Sequence, residues 1–191
     1  MTAGWIEARL ALGGALRLAR GDAGGLACFE PTEEGFWHSF RAGVLCYPLY
    51  LILLAFPIRI GEDTVEVSAW RLLAVETIHY VIVWVAFPLL MLPLVDWLRR
   101  SDRYFRFMVA YNWCQVPQTA AFAAVALLGG LGVISADVML VGDLVAGVAA
   151  LVYEWYVSRV ALAVPGRLAA LVIVADMILA AVLSHVSVAL Y

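Results

Sequence analysis

The chain returns again and again to long apolar runs. Residues 36–58, 69–98, 104–128, 136–158 and 167–189 are each dominated by Leu, Val, Ala, Ile and aromatic side chains, with short polar stretches between them. A helix needs about 20 such residues to cross the hydrocarbon core of a bilayer, and every one of these runs reaches that length. Lipid offers no partner to a backbone N–H or C=O, so a segment that crosses it must satisfy those groups internally, as a helix does. The composition agrees: 65% hydrophobic and 14% charged, with mean hydropathy +0.94, against about 45–50% and about 25% in soluble domains. The expected fold is all-α, a polytopic membrane helix bundle with five transmembrane helices and an N-terminal interfacial helix. With 191 residues there is no room for a second large domain. The chain divides into residues 1–31, an interfacial helix and linker, and residues 32–191, the transmembrane domain.

Local signals set the boundaries. Residues 2–20 are too short and too charged to read as a span. Arg9, Arg17 and Arg20 fall in a sector of about 80° at 100° per residue. The rest is Trp5, Ile6, Leu10, Leu12, Leu16 and Leu18, an imperfect amphipathicity with Trp5 near the Arg stripe, which still suits a helix lying in the headgroup zone better than a span. Gly13 and Gly14 weaken it. Glu7 and Arg9 interrupt its apolar stretch and no basic segment precedes it, so it does not read as a cleaved signal peptide. Gly21-Asp22-Ala23-Gly24-Gly25 reads as a linker. Thr32 and Ser68 are placed to cap the first and second spans, with Glu33 and Glu34 at the positive dipole end of the first, and Ser135 to cap the fourth. Pro88 and Pro93 are expected to kink the second span. Cys28, Cys46 and Cys114 form no CxxC pair and are odd in number; they read as small apolar fillers rather than a disulfide framework or a zinc site.

Orientation follows from arginine. All twelve basic residues are Arg. Arg9, Arg17, Arg20, Arg41, Arg99, Arg100, Arg103, Arg106, Arg159 and Arg167 fall on one side of the predicted spans. Only Arg59 and Arg71 fall on the other, whose loops carry Glu62, Asp63, Glu66 and Asp137. Basic loops stay cytoplasmic, so the N-terminus is expected in the cytoplasm and the C-terminus in the periplasm. The absence of Lys and the wealth of Ala, Gly, Val, Leu and Arg point to a GC-rich bacterial genome, hence to a bacterial inner membrane. The net charge of −3 carries no nucleic-acid signal.

Ionisable and amide side chains inside spans are costly and tend to face the bundle interior. Depth below the flanking Arg, at 1.5 Å per residue, matches Asn112 with Glu154 and Gln115 with Asp176. Asn112, Gln115 and Thr119 share a helix face. These residues, with Gln118, are expected to form a buried polar seam between the third, fourth and fifth spans, with Gln115 the partner of Asp176. Such a seam is either packing glue or a functional path. A second set, Glu76, His79, Asp143 and His185, falls in the outer third. Glu76 and His79 have the Glu-x-x-His spacing of half a di-metal site, but only one copy occurs, so no metal or other cofactor is expected. His185 lies nine positions from Asp176, about 180° around the helix. Gly142, Ala146 and Ala150 make a small-residue stripe suited to close packing, against the third span or against another copy of the chain or a membrane-protein partner.

The run Tyr111-Asn112-Trp113-Cys114-Gln115 within Phe105–Gln118, and Phe29-Glu30-Pro31-Thr32 followed by Gly35-Phe36-Trp37, resemble segments of bacterial Yip1-like membrane proteins. So does the plan of a cytoplasmic N-terminal segment followed by five close spans. The resemblance implies an accessory role through partner proteins, as in the eukaryotic relatives that organise membrane traffic, and brings no catalytic residues. No HExxH, GxSxG, Walker A or GxGxxG motif occurs, so an enzyme is not expected. Two functions are left open: an inner-membrane accessory or scaffolding protein, and a small-solute or proton-coupled transporter or channel. A wet interior beside Asp176 favours the second, a dry seam the first.

Overall fold

The computed structural model describes residues 2–56 and 68–188. Arg59, the loop residues Glu62, Asp63 and Glu66, the end of the first span and the C-terminus lie outside them. Seven α-helices follow in order: α1 (Thr2–Ala19), α2 (Glu33–Ser39), α3 (Arg41–Ala55), α4 (Ala69–Trp97), α5 (Tyr104–Gly130), α6 (Ala136–Leu162) and α7 (Gly166–Val188). Two short 3-10 turns, Ala23–Cys28 and Ser101–Arg103, complete the chain, and no strand occurs among the described residues. Among the described residues four segments are long and apolar enough to cross a membrane: Glu33–Ala55, which combines α2 and α3, Trp70–Trp97, Ala136–Leu162 and Gly166–Ser187.

α5 has the length, 27 residues, but Asn112, Gln115, Gln118 and Thr119 dilute its apolar character. It can carry them because it is the axle of the bundle. α1, α2, α3, α4 and α6 all pack on it, and Phe107, Met108, Ala110, Trp113 and Cys114 are fully buried. α6 and α7 pair with each other, and α7 returns beside α4. The core gathers at the end that bears the Arg99–Arg103 and Ala163–Gly166 turns: Met91 and Val95 of α4, Val157 and Ala161 of α6 and Ala169 and Val172 of α7 close around α5 there. Towards the other end α6 exposes Val138, Val141, Leu144, Val145 and Val148, the surface expected of a helix whose solvent is lipid. α4 shows the same thing. Ile78, Val81, Val85, Leu89 and Leu92 form an exposed stripe ended by exposed Trp70 and Trp97. Those indoles bracket 28 residues, about 40 Å of helix, close to a whole bilayer with its headgroups.

Helix ends follow local chemistry, with two departures from expectation. Thr32 caps α2 by accepting from Gly35 N at 3.0 Å, and Ser135 caps α6 by accepting from Val138 N at 3.4 Å. Ser68 makes no capping bond to α4. The first span is two helices rather than one, because the chain breaks its helix at Phe40. The Ser39 hydroxyl there bonds back to Phe36 O at 2.6 Å. α4 remains one helix through Pro88 and Pro93. α6 ends on Ala163 in the left-handed conformation (φ 51°), a position that usually takes Gly.

α1 turns its Ala8, Ala11, Ala15 and Leu18 stripe into the same core, with exposed Arg9, Arg17 and Arg20 elsewhere on its surface. Small Ala side chains let the helices approach closely. The Tyr153 hydroxyl of α6 reaches the Ala15 carbonyl at 2.6 Å. The segment expected to be a linker is folded. Gly21 turns the chain at φ +78°, Asp22 accepts from Gly24 N at 2.8 Å and pairs with Arg17 at 2.7 Å, and the following turn packs on α1. Gly14 is what permits this: a Cβ there would sit 2.7 Å from both Gly25 O and Cys28 Cβ.

Candidate functional site

The polar residues of α5 recur at helical spacing, so Tyr111, Asn112, Gln115 and Thr119 look the same way. They meet Glu154 from α6 and Asp176 from α7. α3 and α4 close the other side with Cys46 and Tyr50, and with Tyr80, Trp84 and Phe87. Together they surround a partly open cavity of about 290 Å³ just beyond the packed end of the bundle. It is the seam expected between the third, fourth and fifth spans, opened into a volume and walled on its fourth side by aromatic rings.

The pairing inside it differs from the depth-matched expectation by about one helical turn. Asp176 Oδ2 accepts from the Tyr111 hydroxyl at 2.7 Å, not from Gln115. Gln115 Nε2 instead faces Glu154 Oε1 at 3.4 Å. Asn112, expected opposite Glu154, donates to Ser39 Oγ at 2.8 Å and so locks the α2–α3 break onto α5. Gln118 donates to its own backbone at Cys114 O, 3.2 Å, and Thr119 to Gln115 O, 2.8 Å. The seam is therefore part glue and part cavity wall: Asn112 and Gln118 are buried, while Gln115, Glu154 and Asp176 keep partial exposure. No ion pair engages either carboxylate among the described residues, and no Arg or His lines the cavity among them.

The four residues of the expected outer cluster are not joined to one another by any hydrogen bond or ion pair among the described residues. Glu76 accepts from the Tyr50 hydroxyl, and from Ser187 Oγ at 3.4 Å. His79 is half-buried on the same helix, and His185 is exposed. Asp143 has one buried oxygen, Oδ2, without a hydrogen-bond partner. Gly142 of the small-residue stripe packs on α5, where a Cβ would meet Val125 Cγ1 at 3.0 Å.

Two groups are not legible in the sequence. The first is the aromatic wall. α3 and α4 are held together by tyrosines, with Tyr47 bonded to Thr77 at 2.9 Å, Tyr80 to Gly43 O at 2.6 Å, and Tyr50 to Glu76. The signal for it is that these rings sit in mid-span rather than at an interface. The second lies outside the cavity, where α1 meets α2. Glu7, Glu30 and His38 bring donor atoms within 4.8 Å of one another. Arg41 binds the second oxygen of Glu7 at 2.9 Å, and His38 Nδ1 stands 3.2 Å from the first. This network fastens α1 to the start of the first span.

Comparison with protein-family models, with curated proteins and with solved structures returned no match. Fold and site together define the class: an α-helical protein with four segments among the described residues long and apolar enough to cross a membrane, and two carboxylates on an aromatic-walled cavity.

Proposed function

We propose that this chain is a multi-pass protein of a bacterial inner membrane that binds a small solute between its helices, the binding step of a small transporter or channel. The single observation behind this is the cavity beside Asp176 and Glu154. Packing glue has no use for an open volume of about 290 Å³ walled by two acids, whereas solute sites are concave, mostly apolar and oriented by a few polar groups. In this reading α5 also crosses the membrane, as the third of five spans. Its amides are tolerated because the other helices shield them, and the N-terminus and the Arg99–Arg103 turn face the cytoplasm. α1 lies at the cytoplasmic surface with Arg9, Arg17 and Arg20 in the headgroup zone.

A Yip1-like accessory role is the competing reading. The Asn112–Ser39 bond favours it, since that pair is buried and ties the α2–α3 break to α5. Water decides between them. With the native cysteines replaced, two exposed positions of α7 are compared, Ala180→Cys on the cavity wall and Met177→Cys away from it, by treatment with a charged methanethiosulfonate in bilayer nanodiscs. A thiol reacts through its thiolate, which needs water. Labelling of Ala180→Cys but not of Met177→Cys is expected. An unreactive Ala180→Cys would mark a dry seam and return the scaffold reading.

A further inference from the structure

We infer that the solute is a small organic cation, a primary or quaternary ammonium with a compact apolar skeleton. The inference rests on the reading of the cavity as a solute site and adds the chemistry of its occupant.

Three features of the wall point the same way. Glu154 and Asp176 both line the cavity, and neither has a cationic side chain as partner among the described residues. Their donors are neutral: Tyr111 for Asp176 and Gln115 for Glu154, the latter at a long 3.4 Å. Acids in a low-dielectric interior either take a proton, face water or pair with positive charge; the residues lining the cavity supply no such charge, which leaves that place to a bound cation. Next, the facing wall presents Tyr50, Tyr80, Trp84 and Phe87, with Tyr111 stacked on Phe87 at 4.2 Å between ring centroids. Aromatic faces carry negative potential and attract ammonium groups, most strongly where water is scarce. Finally, the volume of about 290 Å³ is at the low end for ligand pockets, which sets the occupant at a handful of heavy atoms.

A metal ion fits less well. The two carboxylates, amides and hydroxyls of the cavity wall are oxygen donors that a hard cation accepts, but such an ion would leave the aromatic wall without a role. The one group of three or more His, Cys, Asp or Glu donors within ligating distance among the described residues is Glu7, Glu30 and His38, on the α1–α2 flank. An anion would meet two carboxylates. A neutral apolar solute would leave the acids without a counter-charge. An ammonium satisfies both walls at once, its charge towards Glu154 and Asp176 and its alkyl skeleton against the rings.

The test uses four probes that share nearly one skeleton and differ in charge. They are choline, 3,3-dimethylbutylamine, the neutral 3,3-dimethylbutan-1-ol and the anionic 3,3-dimethylbutanoate. Binding to the full chain in nanodiscs of zwitterionic lipid is followed by calorimetry, with empty nanodiscs as blank. At least one cation should bind at least about tenfold more tightly than the alcohol, and the acid should not bind. Glu154→Gln and Asp176→Asn, which keep shape and hydrogen-bonding capacity, should each erase that preference. The comparison on the unaltered protein stands even if a variant fails to fold. Equal binding of alcohol and cations, or preference for the acid, would overturn the cation while leaving the solute site in place. Silence from all four probes would also overturn it. In that case a water-reactive Ala180→Cys would still uphold the solute site, and an unreactive one would remove both.

Discussion

Tyr111 and Asp176 stand 65 residues apart in the chain and meet across 2.7 Å, the phenol of α5 donating to the carboxylate of α7. α5 and α7 otherwise touch little, since α7 packs mainly on α6 and α4. The bond is thus a tie across the cavity, and cutting it tests how much the tie holds. Hydrogen bonds between membrane helices are worth about 0.6 kcal/mol on average and about 1.7 kcal/mol at most. Tyr111→Phe, which keeps the ring on Phe87, should lower unfolding free energy in bilayers by an amount in that range. A loss well above it would mean that Tyr111 organises the bundle rather than bridging one gap.

The same pair shows what can be read from the sequence and what cannot. Apolar runs and the Thr32 and Ser135 caps predict the described long helices, apart from the division of the first span into two, because each rests on local chemistry. The polar seam is legible as a set, since Asn112, Gln115, Glu154 and Asp176 are too costly to face lipid. Its pairings are not. Depth counted from Arg106 assumes parallel helices and side chains of equal reach, and Tyr111 bridges to Asp176 with a side chain longer than Gln115's. Asn112 finds Ser39 because the helix breaks at Phe40, a break that no Gly or Pro announces. The cavity is a product of tertiary spacing, which periodicity does not encode. The folded turn after α1 reads as a linker because Gly21, Gly24 and Gly25 look like flexibility, whereas Gly25 serves close packing against Gly14.

Those glycines give a sharp contrast between neighbours. A Cβ added at Gly13 would meet nothing within 4 Å, whereas one at Gly14 would lie 2.7 Å from the Gly25 carbonyl. Gly13→Ala should be neutral or stabilising by up to about 1 kcal/mol, as expected for Ala in a helix interior. Gly14→Ala must push backbone aside, so the Ala23–Cys28 turn should detach. Limited proteolysis between residues 20 and 31 reads the difference. Equal protection of the two variants would contradict the close approach.

The proposed topology rests on the arginine distribution and can be tested without touching the termini. Ser101 and Val133 are both exposed, at opposite ends of α5. With the native cysteines replaced, Val133→Cys should react with a membrane-impermeant maleimide in intact spheroplasts, and Ser101→Cys only after lysis. The reverse pattern would invert the protein, and reaction of both in intact cells would mean that α5 does not cross.

The last prediction concerns acid. Arg17 and Asp22 pair at 2.7 Å on the surface. The Arg17 guanidinium first, and the Gly24 N–H after it, hold the Asp22 carboxyl below the usual aspartate range. A carboxylate whose folded value is depressed contributes stability above its unfolded value and loses it as pH falls through the folded one. The Ala23–Cys28 turn should therefore stay closed at neutral pH and loosen only below the ordinary aspartate range. Because the pair is exposed at the surface, salt should weaken it too. Asp22→Asn keeps an oxygen for Gly24 N and removes the charge, so its turn should exchange amide hydrogens at a rate independent of pH-linked charge and of salt. Asp22→Ala loses the cap as well and should exchange fastest at every pH. Hydrogen exchange at Gly24 and Gly25, corrected for intrinsic rates, distinguishes the three. Wild-type protection that survives unchanged into strong acid would show that the cap acceptor alone, not the Arg17 charge, holds the turn.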